Sequence, residues 1–229
     1  MTTLLFQVWV LILLALLAGI WALRFPYPAF WLRPFLPARK RWPEREIRDW
    51  LGNGRFHRGF LKFFNRDPER DPPSEPGLLA PADGLVTSAE VRDGIRYLVI
   101  ALSFWDMHVQ RSPAEGTVVA IEPSGDGFMD GEGRNFAFLR EKHCPVQTRV
   151  VIDTAPYGRL AVRLITSVAA RRIEVWPGEG DTLARGQRLG RILLGSTVVL
   201  EIPERFPIFV QIGQRVWAGE TLVTVGATT

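Results

Sequence analysis

From Leu78 onward, short β-branched runs alternate with Gly, Pro and Asp turns, and this texture limits the possible folds more than any other feature of the chain. The runs are Leu85–Val91, Tyr97–Ser103, Thr117–Ile121, Val146–Ile152, Leu160–Thr166 and Ile173–Trp176, with several more reaching Val225. Strands spaced so closely leave no room for crossover helices. The spacing therefore predicts an all-β sandwich or barrel over 78–229 rather than alternating strand and helix.

Two segments inside this region resemble each other, Val175–Gly186 and Val210–Gly219. Each reads as strand, glycine turn, one buried apolar residue, then a second glycine turn into the next strand. The pattern is similar to the barrel-sandwich hybrid of lipoyl and biotinyl carrier domains. Those carriers hold their cofactor on a lysine at a hairpin tip. No lysine follows Lys142 here, so carrier chemistry is excluded while the architecture is kept as an expectation.

The first part of the chain has a different character. Leu4–Leu23 is apolar apart from Gln7, a length that suits a hydrocarbon core of about 30 Å. Met1-Thr2-Thr3 carries no side-chain charge and the run ends at Trp21-Ala22-Leu23-Arg24, unlike a signal peptide with its basic start and small-residue cleavage site. The expectation is an uncleaved transmembrane helix. Arg24, Arg33, Arg39, Lys40, Arg41 and Arg45 follow it and, by the positive-inside rule, put the rest of the chain on the cytoplasmic side of the cell membrane. Prolines 26, 28, 34, 37 and 43 among aromatics suit a headgroup-level belt, so 1–43 reads as membrane anchor plus basic and aromatic juxtamembrane segment. Glu44–Asn65 reads as mostly helical around Gly52-Asn53-Gly54, with Phe56, Phe60, Phe63 and Phe64 as a core or membrane-facing stripe. Asp67–Pro73 reads as an irregular linker. The working division is 44–229 as one functional domain, 44–77 helical and linker, 78–229 β.

The formal charge of +4 and pI near 9.7 allow either nucleic acid or an anionic membrane as partner. Because the cations cluster directly behind the apolar run, anionic lipids are expected and nucleic acid is not. Cys144 is the only cysteine, so neither an intrachain disulfide nor a cysteine metal cluster is possible, and no metal is expected.

Three positions carry candidate chemistry: Asp83 in Ala80-Pro81-Ala82-Asp83-Gly84, His108 in Asp106-Met107-His108-Val109-Gln110-Arg111, and Ser196 in Leu194-Gly195-Ser196-Thr197. A serine hydroxyl is a poor nucleophile until a base takes its proton and an acid orients that base. Each piece alone has a plain structural reading: a turn, a satisfied core histidine, a hairpin. His57 and His143 are rival bases.

Seven tags in order change that balance: Phe63–Arg70, Pro81–Gly84, Asp106–Val109, Ala170–Ile173, Gly180-Asp181, Leu194–Thr197 and Gly219-Glu220-Thr221. Together, over about residues 60–226, they resemble the phosphatidylserine decarboxylase family, closest to its short prokaryotic branch. The resemblance implies a membrane enzyme that makes phosphatidylethanolamine from phosphatidylserine after cutting itself between Gly195 and Ser196. Ser196 would attack the Gly195 carbonyl, and the resulting ester would eliminate to leave a pyruvoyl group, the cofactor, on the C-terminal fragment. Glycine at 195 suits an unhindered, strained turn. The family's activating aspartate and histidine map to Asp83 and His108. The pyruvoyl would take the substrate amine and act as electron sink, with His108 returning a proton to carbon. The two fragments would remain together as a heterodimer, with a higher homo-oligomer allowed.

Two departures stand out. Arg111 occupies the place where the longer branch has a second histidine, and His143-Cys144-Pro145-Val146-Gln147-Thr148 replaces an acidic stretch usual in the short branch. An archaetidylserine decarboxylase is the alternative within the family. A non-enzymatic lipoyl-like membrane adaptor is the alternative outside it, though no long helical hairpin fits after Leu78.

Overall fold

A computed structural model describes residues 2–24, 66–102, 106–127, 144–166, 172–193 and 196–224. They belong to two compact units, 1–69 and 70–229. The helix expected over Glu44–Asn65 lies outside the described residues.

In the first unit Thr2–Arg24 forms one helix, α1. Its described side chains, residues 5–18, are apolar apart from Gln7 and all exposed. The expected transmembrane helix is corrected by the structure: among the described residues, no helix is long and apolar enough to cross a membrane. The cytoplasmic orientation drawn from the positive-inside rule loses its premise along with that helix.

The second unit is mostly β, as the turn spacing predicts. Its strands are β1 Gly84–Arg92, β2 Ile95–Leu102, β3 Val109–Arg111, β4 Gly116–Ser124, β5 Gln147–Thr154, β6 Gly158–Ile165, β7 Arg172–Val175, β8 Thr182–Leu183, β9 Arg188–Leu193, β10 Ser196–Pro203 and β11 Arg215–Val216. An eight-stranded sheet runs β11-β1-β2-β10-β6-β5-β4-β8, and a three-stranded sheet runs β3-β9-β7. Every strand pairing in both is antiparallel.

Strand alternation builds the core. On β10, Val198, Leu200 and Ile202 are buried in the main cluster with Val86, Ile100, Val150, Val162 and Leu164. The intervening Val199 belongs to a smaller cluster on the other face, with Tyr97, Val99 and Ile165. Glu201 shares that outer face and is held by Arg149 Nε at 2.9 Å and Arg163 Nη2 at 2.6 Å.

The two glycine-turn segments take equivalent places at opposite ends of the large sheet. Val86 donates to Gln214 O and accepts from Gly213 N, at 2.9 and 2.8 Å. Val118 does the same with Asp181 O and Gly180 N, at 2.9 and 2.8 Å. Both parent strands shift register just beyond this point, between Val86 and Ser88 and between Val118 and Ala120. The loops that lead in are alike too, Pro81-Ala82-Asp83-Gly84 and Pro113-Ala114-Glu115-Gly116. A Cβ on Gly84 would stand 2.4 Å from Ala101 O, and one on Gly116 2.4 Å from Asp153 O. Glycine is required at both strand starts because the neighbouring backbone passes so close, and at β1 this fixes the residue before it, Asp83.

Candidate active site

Asp83 is buried where the loop enters β1. Its Oδ1 accepts from the Ala218 amide at 2.8 Å, and Arg70 Nη2 donates to Oδ2 at 3.1 Å. Arg70 is itself buried, with a side chain 2 % exposed, and its Nη1 lies 3.6 Å from Glu220 Oε2. Burial pushes the Asp83 carboxyl above the usual carboxylate range, the Arg70 guanidinium and the Ala218 amide pull it back, and the negative charge of Asp106 adds to the rise.

His108 precedes β3 and is fully buried. Its Nδ1 lies 2.8 Å from the carbonyl oxygen of Asp106. A carbonyl can only accept, so Nδ1 carries the hydrogen and Nε2 of the neutral ring keeps its lone pair, the state a base requires. The Asp106 carboxylate is ion-paired with Arg215. Arg111 donates through its backbone amide to Pro81 O at 2.8 Å, tying the histidine's strand to the loop that holds Asp83. Its guanidinium Nη1 donates to Gly186 O at 3.1 Å, so the residue in the place of a second histidine is a buried strut between chain segments.

Ser196 is the first residue of β10, and its backbone stands in register with Leu102, the last residue of β2. The chain beyond Leu102 leads to Asp106 and His108. From the other side, β9 ends at Leu193, and the amide of Ile192 donates to His108 O at 3.2 Å. Ser196 thus stands where the chain leaves the small sheet for the large one, close in register to the segment carrying His108. Gly195, and with it the peptide bond expected to break, lies outside the described residues, as do His57 and His143.

The sequence reading missed the roles of Arg70, Glu220 and the Asp106 carbonyl. Arg70 ends the first tag and Glu220 lies in the last; Arg70 is held between the carboxylates of Asp83 and Glu220. Reading 67–73 as a linker hid a buried cation. Among the described residues no cluster of His, Cys, Asp or Glu is arranged to hold a metal ion.

The sequence profile of the phosphatidylserine decarboxylase family matches residues 56–224. A phosphatidylserine decarboxylase proenzyme of Geobacter sulfurreducens is 35% identical over 173 residues, covering 72% of this chain and 77% of its own length. One from Symbiobacterium thermophilum is 36% identical over 172 residues, covering 72% and 78%. A protein of Archaeoglobus fulgidus named as an archaetidylserine decarboxylase proenzyme is 36% identical over 163 residues, covering 71% and 76%.

Proposed function

Because the chain belongs to the phosphatidylserine decarboxylase family, we propose that it cuts itself at Gly195-Ser196 and decarboxylates phosphatidylserine to phosphatidylethanolamine. Membership carries the coarser statement outright: a self-processing, pyruvoyl-dependent decarboxylase of phospholipid synthesis. The rival adaptor reading falls with it.

The observation that supports the assignment to these residues is the convergence at the sheet junction. Ser196 opens β10 directly after a glycine, in register with the end of β2. The segment after β2 carries a fully buried histidine with its Nδ1 already engaged. A serine behind a glycine is the chemistry from which a pyruvoyl group is made, so the residues present fit that group.

In this reading His108 Nε2 takes the proton of Ser196 Oγ as the oxygen adds to the Gly195 carbonyl. The peptide C–N bond breaks, its nitrogen gains a proton, and residues 195 and 196 are joined by an ester. Loss of the Ser196 Cα proton expels Gly195 as a free carboxylate and leaves dehydroalanine at 196. Water then replaces its nitrogen, which departs as ammonia. The resulting pyruvoyl group supplies the electron sink for carbon dioxide loss. His108 holds the proton that returns to the substrate carbon. Asp83, fixed by Arg70 and the Ala218 amide, sets the electrostatic field of the site and the protonation state it presents.

The substrate is a lipid, and the cluster of arginines in 24–45 suits an anionic surface such as the cytoplasmic leaflet offers. The archaeal relative supports a second reading with the same headgroup on an ether lipid. Both readings meet one experiment. Mass spectrometry of the purified protein should give Met1–Gly195 and a 34-residue fragment (229 − 195) lighter than its encoded peptide by one ammonia. Assay of the cut protein on ester and ether serine lipids then chooses between them. An intact chain as the only species would sink the assignment to Ser196.

A further inference from the structure

Gln110 lies on β3 two residues past His108. It is fully buried, and neither Oε1 nor Nε2 has a hydrogen-bond partner among the described residues. Leaving a buried amide unpaired costs on the order of 1–3 kcal/mol, and native proteins seldom leave such a group without a use. Placement narrows the use. His108 lies one residue before β3, but its carbonyl continues the pairing with β9 by accepting from Ile192 N at 3.2 Å, so alternation along this extended stretch puts it on the same face as Gln110, about 6.8 Å away. The residue opposite Gln110 is Gly190, which puts no side chain beside the amide. The ladder shifts register between Gln110 and Arg111, the kind of irregularity that re-aims side chains beside functional sites.

We infer that Gln110 is the seat for the amino-acid group of the substrate headgroup, a role that rests on the decarboxylase reading. A carboxamide offers an acceptor and donors side by side. An α-amino carboxylate offers the complement, an ammonium that donates and a carboxylate that accepts. Oε1 takes the ammonium and Nε2 the carboxylate, which directs the headgroup toward the face where His108 waits. Strand β9 pairs with this stretch of β3 and ends at Leu193, just short of the proposed cut, so the measurement belongs to the cleaved full-length protein.

The test compares Gln110→Leu and Gln110→Met with wild type after self-cleavage. Glycerophosphoserine and glycerophosphoethanolamine serve as competing probes, since they differ only by the carboxylate. Wild type should prefer the serine compound. Both variants should lose that preference on the order of 10–100-fold, with self-cleavage unchanged and Tm raised by about 2–8 °C because an unpaired amide has left the core. A preference retained in both variants overturns the inference whichever way Tm moves. A fall in Tm in both overturns its premise, because the amide then has partners in the core. Failure to self-cleave in wild type would count against the decarboxylase reading instead.

Discussion

Arg70 Nη2 stands 3.1 Å from both carboxylate oxygens of Asp83, a buried ion pair drawn from two ends of a stretch with little regular structure. Burial raises the Asp83 pKa and Arg70 restrains the rise. Removing the guanidinium removes the restraint, so Asp83 should ionise only at higher pH. For Arg70→Gln the rising limb of self-cleavage rate against pH should therefore move to higher pH. Arg70→Lys, which keeps the charge but loses the planar fork, should fall between. An unmoved profile in Arg70→Gln would show that Asp83 does not govern that limb.

His108→Ala should slow self-cleavage by about 10²–10⁴-fold, the usual worth of a positioned base. Asp83→Ala should also slow it, because the buried Arg70 loses its nearer carboxylate and keeps only Glu220 at 3.6 Å, leaving excess positive charge where the carboxylate stood. The yield of the 1–195 fragment over time measures both. Cleavage at the wild-type rate in His108→Ala would move the role of base to Asp106, His57 or His143.

Gly84 should tolerate no side chain. Its added Cβ would meet Ala101 O at 2.4 Å, whereas one on Gly94, in the β1–β2 turn at φ +77°, would meet nothing within 4 Å. Gly84→Ala should lose about 1–3 kcal/mol or more through the backbone clash, and Gly94→Ala about 1 kcal/mol through its dihedral alone. Thermal unfolding of the two variants provides the comparison. Equal losses would mean that β1 shifts freely against β2.

Deleting residues 1–23 should leave self-cleavage intact, because Asp83, His108 and Ser196 all belong to the unit 70–229. The shortened protein should still bind anionic vesicles through its arginines, with affinity falling as salt rises, since screening acts over about 10 Å at 0.1 M. Salt-insensitive binding would indicate apolar insertion instead, and loss of cleavage would mean that the N-terminal segment supports the β unit.

Much of the fold was legible because β patterning is local. Six runs named from turn spacing correspond to β1, β2, β4, β5, β6 and β7 within a few residues, and the buried apolar residue of each glycine-turn segment is real, Leu183 in one and Val216 in the other. The likeness of Pro81–Gly84 to Pro113–Gly116 was equally present in the sequence and went unread. The N-terminal run misled because composition alone was asked to establish a membrane crossing.

The site divides in the same way. The residue types and order at Asp83, His108 and Ser196, and the family they announce, follow from the sequence by itself, since chemistry constrains which side chains can appear in which motif. Strand patterning follows from it too, because alternation depends only on neighbours along the chain. Tertiary structure alone decided that Arg70 is held between Asp83 and Glu220, that the Nδ1 of His108 is engaged by a backbone carbonyl, and that Gln110 is buried without a partner among the described residues. Ion pairing and burial depend on which distant segments the sheets bring within a few ångströms, and no local pattern encodes that distance.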